Sequence, residues 1–419
     1  MVWFNLPNKH IIRNKLNQCY FAKVVLIYLI WYKVKMFNRI VKILKSSVIF
    51  LLVFPAYITA HIAVYFSVAH FFPFSAPLGR NLAIWIIFLL GTFLGFSIMI
   101  SALLAHRWDN HFNRKYYFFS GIWVGFMINL LLFFALGWLV LLFGSLFGFK
   151  YSRQIVGIFS IVGATLYSLY GIINAFTPIV KKIEIPIKNL PKFWNGKKIV
   201  QISDVHLGHI YREEFMCQVA EKINSLKPEV ILITGDLFDG TDGKLDVFAQ
   251  SLDLLEAPKG IFYASGNHET YLTNTQEVFE VLKKTKIVAL RNEMRVLEGL
   301  QFIGIEYPHP MEKRRVAETI KQLPAFNSTQ PSVLLWHIPA QIRKIRKLGI
   351  SLMLCGHTHK GQLFPFGIAT KFMFRGYDYG LKIKGGLAVY TSCGLGAWGT
   401  PMRTEGHSEI VEITLTKES

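Results

Sequence analysis

The sequence predicts two regions of different class: an N-terminal α-helical membrane bundle of about four spans, followed by an α/β domain. Three observations carry this. The 419 residues are 52% hydrophobic and 17% charged, against roughly 25% charged in a typical soluble protein, which excludes a disordered chain and argues against a wholly soluble one. The net charge of +20 is unevenly spread: residues 1–182 hold 17 Lys and Arg and one acid, Asp109, whereas the remainder holds 29 basic and 25 acidic residues. From about residue 196 the long apolar runs give way to short apolar segments alternating with amphipathic ones. Basic residues flanking apolar runs mark a membrane protein, and the near-neutral second half lacks the charge for extended nucleic-acid binding, so no specific nucleic-acid partner is expected.

Residues 1–46 form a basic extension with nine Lys and Arg and one short apolar run, 24–32. That run is too short to span and has no small-residue cleavage site, so a signal peptide is not expected. Met36 opens a stretch more typical of a membrane-protein start. Residues 47–180 make the transmembrane region, with spans expected at about 47–72, 81–105, 117–148 and 154–176. The third is longer than one crossing needs, either a tilted helix with an interfacial extension or a tight hairpin; the single helix is favoured. Pro55, His61 and His70 in the first span read as a kink and helix-packing residues rather than an ion path, since the four spans contain no Asp, Glu, Lys or Arg. Basic residues cluster before the first span and at Arg107, Arg114 and Lys115 after the second, which with four spans places both termini in the cytoplasm. A hairpin would move the second half outside. Residues 181–195 read as a linker. Cys19, Cys217, Cys355 and Cys393 lie far apart with no CxxC pair and read as free thiols.

Residues 196–419 form the α/β domain. Strands are expected at 198–202, 230–234, 261–264, 302–305, 332–336, 352–355 and 387–391, and helices at about 213–226, 245–255, 275–284 and 316–323. In such folds ligands collect at the carboxyl ends of strands, and the polar residues stand there. Asp204 and His206 follow the first strand, Gly235-Asp236 the second, and Gly266-Asn267-His268-Glu269 the third; His337 ends a later strand, and Gly356-His357-Thr358-His359 follows another. In extended backbone Asp204 and His206 point to one side, as do His357 and His359. The glycines permit sharp turns and close approach. One such residue alone would be a cap or a surface group, but five strand ends in one domain make coincidence untenable. Oxygen and imidazole donors without thiolate suit two divalent ions of the Mn, Fe or Zn type, the arrangement used for in-line displacement at phosphorus. Asp236, alone on its turn, is the natural bridge.

In order, D-x-H, G-D, G-N-H-[DE], H and G-H-x-H resemble the calcineurin-like metallophosphoesterases over about residues 196–415, most of all their membrane-associated bacterial branch. The resemblance implies two β-sheets sandwiched between helices. It assigns Asp204, His206 and His359 to one metal, Asn267, His337 and His357 to a second, and Asp236 to both. A hydroxide shared by the metals would attack phosphorus, and His268, not a ligand in the family, would stabilise the transition state or protonate the leaving oxygen. Glu269 reads as an orienting partner of a neighbouring group. Arg212 is a candidate for binding substrate phosphate; His209, Asp239, His309 and His407 are weaker candidates, and Trp398 either lines a cleft or packs. The expected activity is that of a membrane-anchored phosphoesterase hydrolysing a phosphate ester or pyrophosphate bond, with a lipid-linked substrate suggested by the tether. The expected location is the bacterial inner membrane, catalytic domain in the cytoplasm. A membrane sensor or scaffold with a retired site is the alternative, and the intact ligand set speaks against it.

Overall fold

The computed structural model describes residues 55–72, 77–241, 244–308 and 315–418. The expected basic extension and the start of the first expected span lie outside these residues, as do His309 and Cys19. The chain divides into two compact units, Met1–Ile62 and Ala63–Ser419. Of the first, residues 55–62 are described, and they are helical.

The second unit opens with helical residues 63–71, then three long helices: α1 (Pro77–Arg107), α2 (His111–Leu146) and α3 (Arg153–Phe176). Apolar side chains fill all of them, and polar caps set the starts of two: the Asn110 side chain accepts from Asn113 N at 2.9 Å and Ser152 Oγ from Ile155 N at 3.5 Å. Residues 117–148 thus fall almost wholly in one unbroken helix, not a hairpin. Of the four expected spans, two, in α2 and α3, are helices long and apolar enough to cross a membrane among the described residues; α1 offers the shorter apolar stretch Leu89–Ala105. His70 lies against Trp138 of α2, ring centroids 4.2 Å apart, as a helix-packing residue does.

With 36 residues, α2 is about 54 Å long at 1.5 Å per residue, well beyond the ~30 Å of a hydrocarbon core. Its first half grips the α/β region instead. Thr400 Oγ1 donates to the Gly121 carbonyl at 2.7 Å, and Asn129 Nδ2 donates to Ser168 Oγ of α3 at 2.9 Å and reaches Met402 Sδ at 3.4 Å. On α3, Gly171 accepts from Arg403 N at 2.8 Å, Tyr167 Oη donates to Thr404 O at 3.1 Å, and Asn174 Nδ2 donates to the carbonyls of Arg403 and Gly406. Residues 398–406 are thereby wedged between the two helices, at positions where glycine lets backbones close up.

The α/β region consists of two six-stranded sheets. The first runs β1 (Ile179–Ile187), β12 (Glu409–Lys417), β2 (Lys198–Ile202), β3 (Val230–Thr234), β4 (Ile261–Ala264), β5 (Ile287–Ala289). The second runs β10 (Gly380–Lys384), β11 (Leu387–Thr391), β9 (Leu352–Cys355), β8 (Ser332–Leu335), β7 (Leu300–Gly304), β6 (Glu293–Leu297). Strands such as VILIT and LMLC are buried throughout, as parallel strands covered on both faces must be. Val200, Ile231 and Ile233 face α4 (Glu213–Ser225) and α5 (Gln276–Leu282); Leu232, Phe302 and Leu354 fill the layer between the sheets; Ile303, Leu334 and Met353 meet α6 (Val316–Lys321). The sandwich of two sheets between helices is as expected.

The expected linker at 181–195 is a correction. Residues 179–187 form β1, paired in parallel with β12 from Ile179↔Glu409 to Ile187↔Lys417. Its alternation buries Ile185 and Ile187 and exposes Lys182, Glu184 and Pro186, and the proline is tolerated because the strand is at an edge. Two residues separate it from α3.

A Cβ at Gly171 would lie 2.5 Å from Met402 Cγ and 2.8 Å from Thr404 Cγ2. Gly171→Val is expected to lower the stability of the detergent-solubilised full chain by about 1–3 kcal/mol. Gly91→Val, where an added Cβ meets nothing within 4 Å, leaves it unchanged. Thermal unfolding of both variants checks this.

Candidate metal centre

β2, β3 and β4 run parallel in one sheet, and β7, β8, β9 and β11 in the other. Their carboxyl ends bring the polar turns together. The turns after β2 and β3 stay paired beyond the strands, Asp204 N to Gly235 O at 3.0 Å and His206 N to Asp236 O at 3.1 Å. The backbone there is not extended, as expected for the i, i+2 pairs, but left-handed: φ is 51° at Asp204, 54° at His206, 48° at Asp236, 75° at His357 and 49° at His359. Each such residue costs on the order of 1–3 kcal/mol and persists only where its surroundings dictate it. The chain must leave each sheet edge while turning a side chain inward, and a left-handed step does both. Glycine makes room: a Cβ at Gly266 would stand 2.5 Å from Asp236 N.

Three overlapping sets result among the described residues. Asp204, His206 and His359 converge, as do Asp236, His337 and His357, and His206 also meets Asp239 and His268, each set with its ligand atoms within 4.8 Å of one another. His359 Nε2 is 3.4 Å from Asp204 Oδ1, and His337 Nε2 is 3.0 Å from Asp236 Oδ2 and 3.1 Å from Asn267 Oδ1. All seven sequence-predicted ligands are thus brought together. The set fits divalent cations on its own geometry. His206 Nε2 faces His359 Nε2 at 3.1 Å, and two imidazole nitrogens that close require a positive centre between them, a proton or a cation.

Burial dominates the electrostatics. It pushes the Asp204 carboxyl up. It works the same way on Asp236, but the imidazolium of His337 outweighs it and holds that carboxyl low. Burial would lower His337, yet Asp236 raises it to about 10. Burial and then His337 push His357 down to about 3, and burial and then Arg403 hold His359 well below its ordinary value. Neutral imidazoles with free lone pairs are the form that ligates metal.

Around the clusters stand groups that fix them. Glu269 accepts from three backbone amides, Asp236 N at 3.2 Å, Phe238 N at 3.1 Å and Gly266 N at 2.7 Å, so its orienting role falls on the turns themselves. Asp239 Oδ1 lies 3.4 Å from His206 Nδ1, aiming Nε2 at the cluster. His268 N donates to Asp236 Oδ1 at 2.8 Å, and its Nδ1 donates to the Asp239 carbonyl at 2.8 Å, which leaves Nε2 for proton transfer. Its ring lies 4.8 Å from Tyr271 and 5.7 Å from Trp398, which is 58% exposed at the rim.

Sequence reasoning missed Arg403. Fully buried, its Nη2 donates to His359 Nδ1 at 3.0 Å and its Nε to Gly396 O at 3.0 Å. The single signal was a basic residue in a Gly-rich, apolar stretch. Arg212 points elsewhere, pairing with Glu213 at 2.9 Å and donating to Gly208 O at 3.1 Å. With His209, His111, Arg114 and Lys115 it lines a cavity of about 430 Å³ beside the start of α2. His209 Nδ1 lies 3.4 Å from Asp109, the one acid of the first 182 residues. His407 is exposed.

Asp239→Asn is expected to weaken divalent-metal affinity about 10–100-fold with the fold intact. Titration of Mn into the metal-stripped protein, with circular dichroism as the fold control, measures it.

Comparison with known proteins agrees with this geometry. The family profile described as Calcineurin-like phosphoesterase matches residues 197–361, from β2 to the turn holding His359. The chain is 31% identical over 278 residues to a Danio rerio "Transmembrane protein with metallophosphoesterase domain", covering 62% of this chain and 62% of that protein, less than two thirds of its length. It is 33% identical to a metallophosphoesterase of Campylobacter jejuni, covering 61% of this chain and 68% of that one. A metallophosphoesterase of Aquifex aeolicus is 31% identical, with 60% of this chain covering 97% of it. On these matches the chain belongs to the calcineurin-like metallophosphoesterases.

Proposed function

We propose that this chain is a membrane-anchored dimetal phosphoesterase that hydrolyses a phosphate ester or pyrophosphate bond. The observation that carries the reading is the meeting of six carboxylate and imidazole donors in two adjoining clusters, with Asn267 beside His337 and the buried His268 next to both. Asp204, His206 and His359 would hold one divalent ion, Asn267, His337 and His357 the other, and Asp236 both. When bound, the ions supply Lewis acidity toward the phosphoryl oxygens and lower the pKa of water.

The chain's own residues do the rest. The Asp239 carbonyl holds the Nδ1–H of His268, so Nε2 faces the site, and it passes a proton to the leaving oxygen only once the ring has taken one up there. Asp239 and Arg403 lock the rings of His206 and His359 from behind, so the ligands do not reorganise during reaction. Glu269 ties three turns into one frame. The membrane-length helices α2 and α3 support anchoring in a bilayer, and the wedge of residues 398–406 between them supports a substrate met at that surface, lipid-linked in character. The basic residues Arg107, Arg114 and Lys115 at the α1–α2 junction favour a catalytic domain in the cytoplasm of a bacterial inner membrane.

The full-length chain in detergent is expected to hydrolyse p-nitrophenyl phosphate or its bis ester when Mn is added; metal bound without turnover of either would sink the reading. His268→Ala should lower kcat about 10²–10⁴-fold with metal content unchanged, whereas Asp236→Asn should lose both metal and rate, as metal analysis beside the assay reveals. A C-terminal fluorescent-protein fusion should glow and an alkaline-phosphatase fusion stay inactive; the reverse pattern would place the domain outside.

A further inference from the structure

The short helix α7 (Phe366–Met373) follows the turn of His357 and His359 and is almost bare. Of its eight residues only Gly367 is buried, while Phe366 is 48%, Ile368 65%, Phe372 87% and Met373 71% exposed. No face of the α/β region covers these side chains. Their place in the fold accounts for them. Gly367 N donates to Glu405 at 2.9 Å and Phe364 N to Thr404 Oγ1 at 3.0 Å. The Thr404 carbonyl in turn accepts from Tyr167 of α3 at 3.1 Å. The start of α7 therefore stands one residue away from α3, whose outward side chains Leu169, Tyr170 and Ile173 are themselves exposed and apolar. The bare face of α7 thus begins close to the exposed apolar side chains of a membrane-length helix.

Charge stands at the other end of α7. A cavity of about 690 Å³ beside Met373 is lined by Arg343, Lys344, Arg346, Arg375 and Lys384, and among the described residues no acidic side chain lines it. A helix with bulky apolar side chains on its bare face and a cationic flank is the composition that lies in the plane of an anionic bilayer.

We propose that α7 and the basic cavity beside it form a second membrane contact, seated on anionic phospholipid, which holds the mouth of the metal centre against the bilayer. The inference rests on reading α2 and α3 as membrane-spanning. The same helix reaches the chemistry. The Phe374 ring, directly after α7, lies 6.0 Å from the His357 ring, and exposed Trp398 lies 5.7 Å from His268. Apolar side chains thus run from the bilayer face to the site. The substrate class that fits is an amphiphilic phosphoester whose acyl chains stay in the lipid while its phosphate enters the metal centre.

The test uses the full chain with Cys19 and Cys217 replaced by Ser and the fully buried Cys355 and Cys393 kept, carrying one added surface cysteine with an environment-sensitive fluorophore. It is reconstituted in nanodiscs of phosphatidylcholine and phosphatidylglycerol containing a spin-labelled quencher lipid. Label positions are Phe372→Cys on α7, Phe143→Cys on α2, and Leu254→Cys, an exposed apolar residue on the far connection between β3 and β4. Quenching at 372 is expected to match that at 143 and to exceed that at 254 several-fold. Quenching at 143 with none above the 254 level at 372 overturns the α7 contact and leaves the spanning reading in place. No quenching at 143 overturns both. In parallel, Ile368→Asp with Phe372→Asp should raise KM for a diacyl phosphoester in vesicles while leaving kcat/KM for soluble bis-p-nitrophenyl phosphate unchanged. An unchanged KM for both substrates would overturn the substrate class.

Discussion

Three carboxylates, Asp204, Asp236 and Glu269, are buried together at the ends of β2, β3 and β4. Withdrawing each from water costs several kcal/mol unless it is matched at close range. The surrounding architecture supplies that match. Backbone amides of His357, His268 and Gly266 are turned onto the carboxylate oxygens, and His337 carries the positive charge that Asp236 needs. The left-handed residues follow from this requirement, because only a reversal at the strand end aims an amide and a side chain into the same small volume. The parallel order of the central strands follows as well, since it alone sets so many strand ends on one edge.

The wedge at residues 398–406 ties this centre to the long helices. Arg403 does so through a single residue: its amide and carbonyl bond α3, and its guanidinium bonds His359. A shift of α3 against the sheets would be felt at the His359 ring with no intervening contact. The helices are therefore a mount for the site, and half the length of α2 serves that mount.

Much of this was legible in the sequence. The strands LMLC and VILIT are short, almost wholly apolar and each followed by Gly, so their ends could be read directly, and the candidate ligands declared themselves by type and by recurrence at strand ends. What escaped reading depends on long-range pairing. β1 carries Lys, Glu and Pro and reads as a linker until β12, more than two hundred residues later, supplies its partner. Arg403 belongs to no spacing pattern; its role arises because a loop passes behind His359. The left-handed turns are set by competition among buried charges, which local propensity does not encode. The long third apolar run was ambiguous from length alone, and its contacts with the α/β region explain the excess.

The pairing of β1 with β12 also sets where this molecule can be divided. A fragment beginning after Ile187 would bare the outer edge of a nine-residue strand in the larger body of the fold. That row of unsatisfied amides and carbonyls is a template on which a second molecule can add. The natural boundary between the long helices and the α/β region lies at Thr177 and Pro178, and self-association rather than loss of the clustered site residues is the hazard of cutting later.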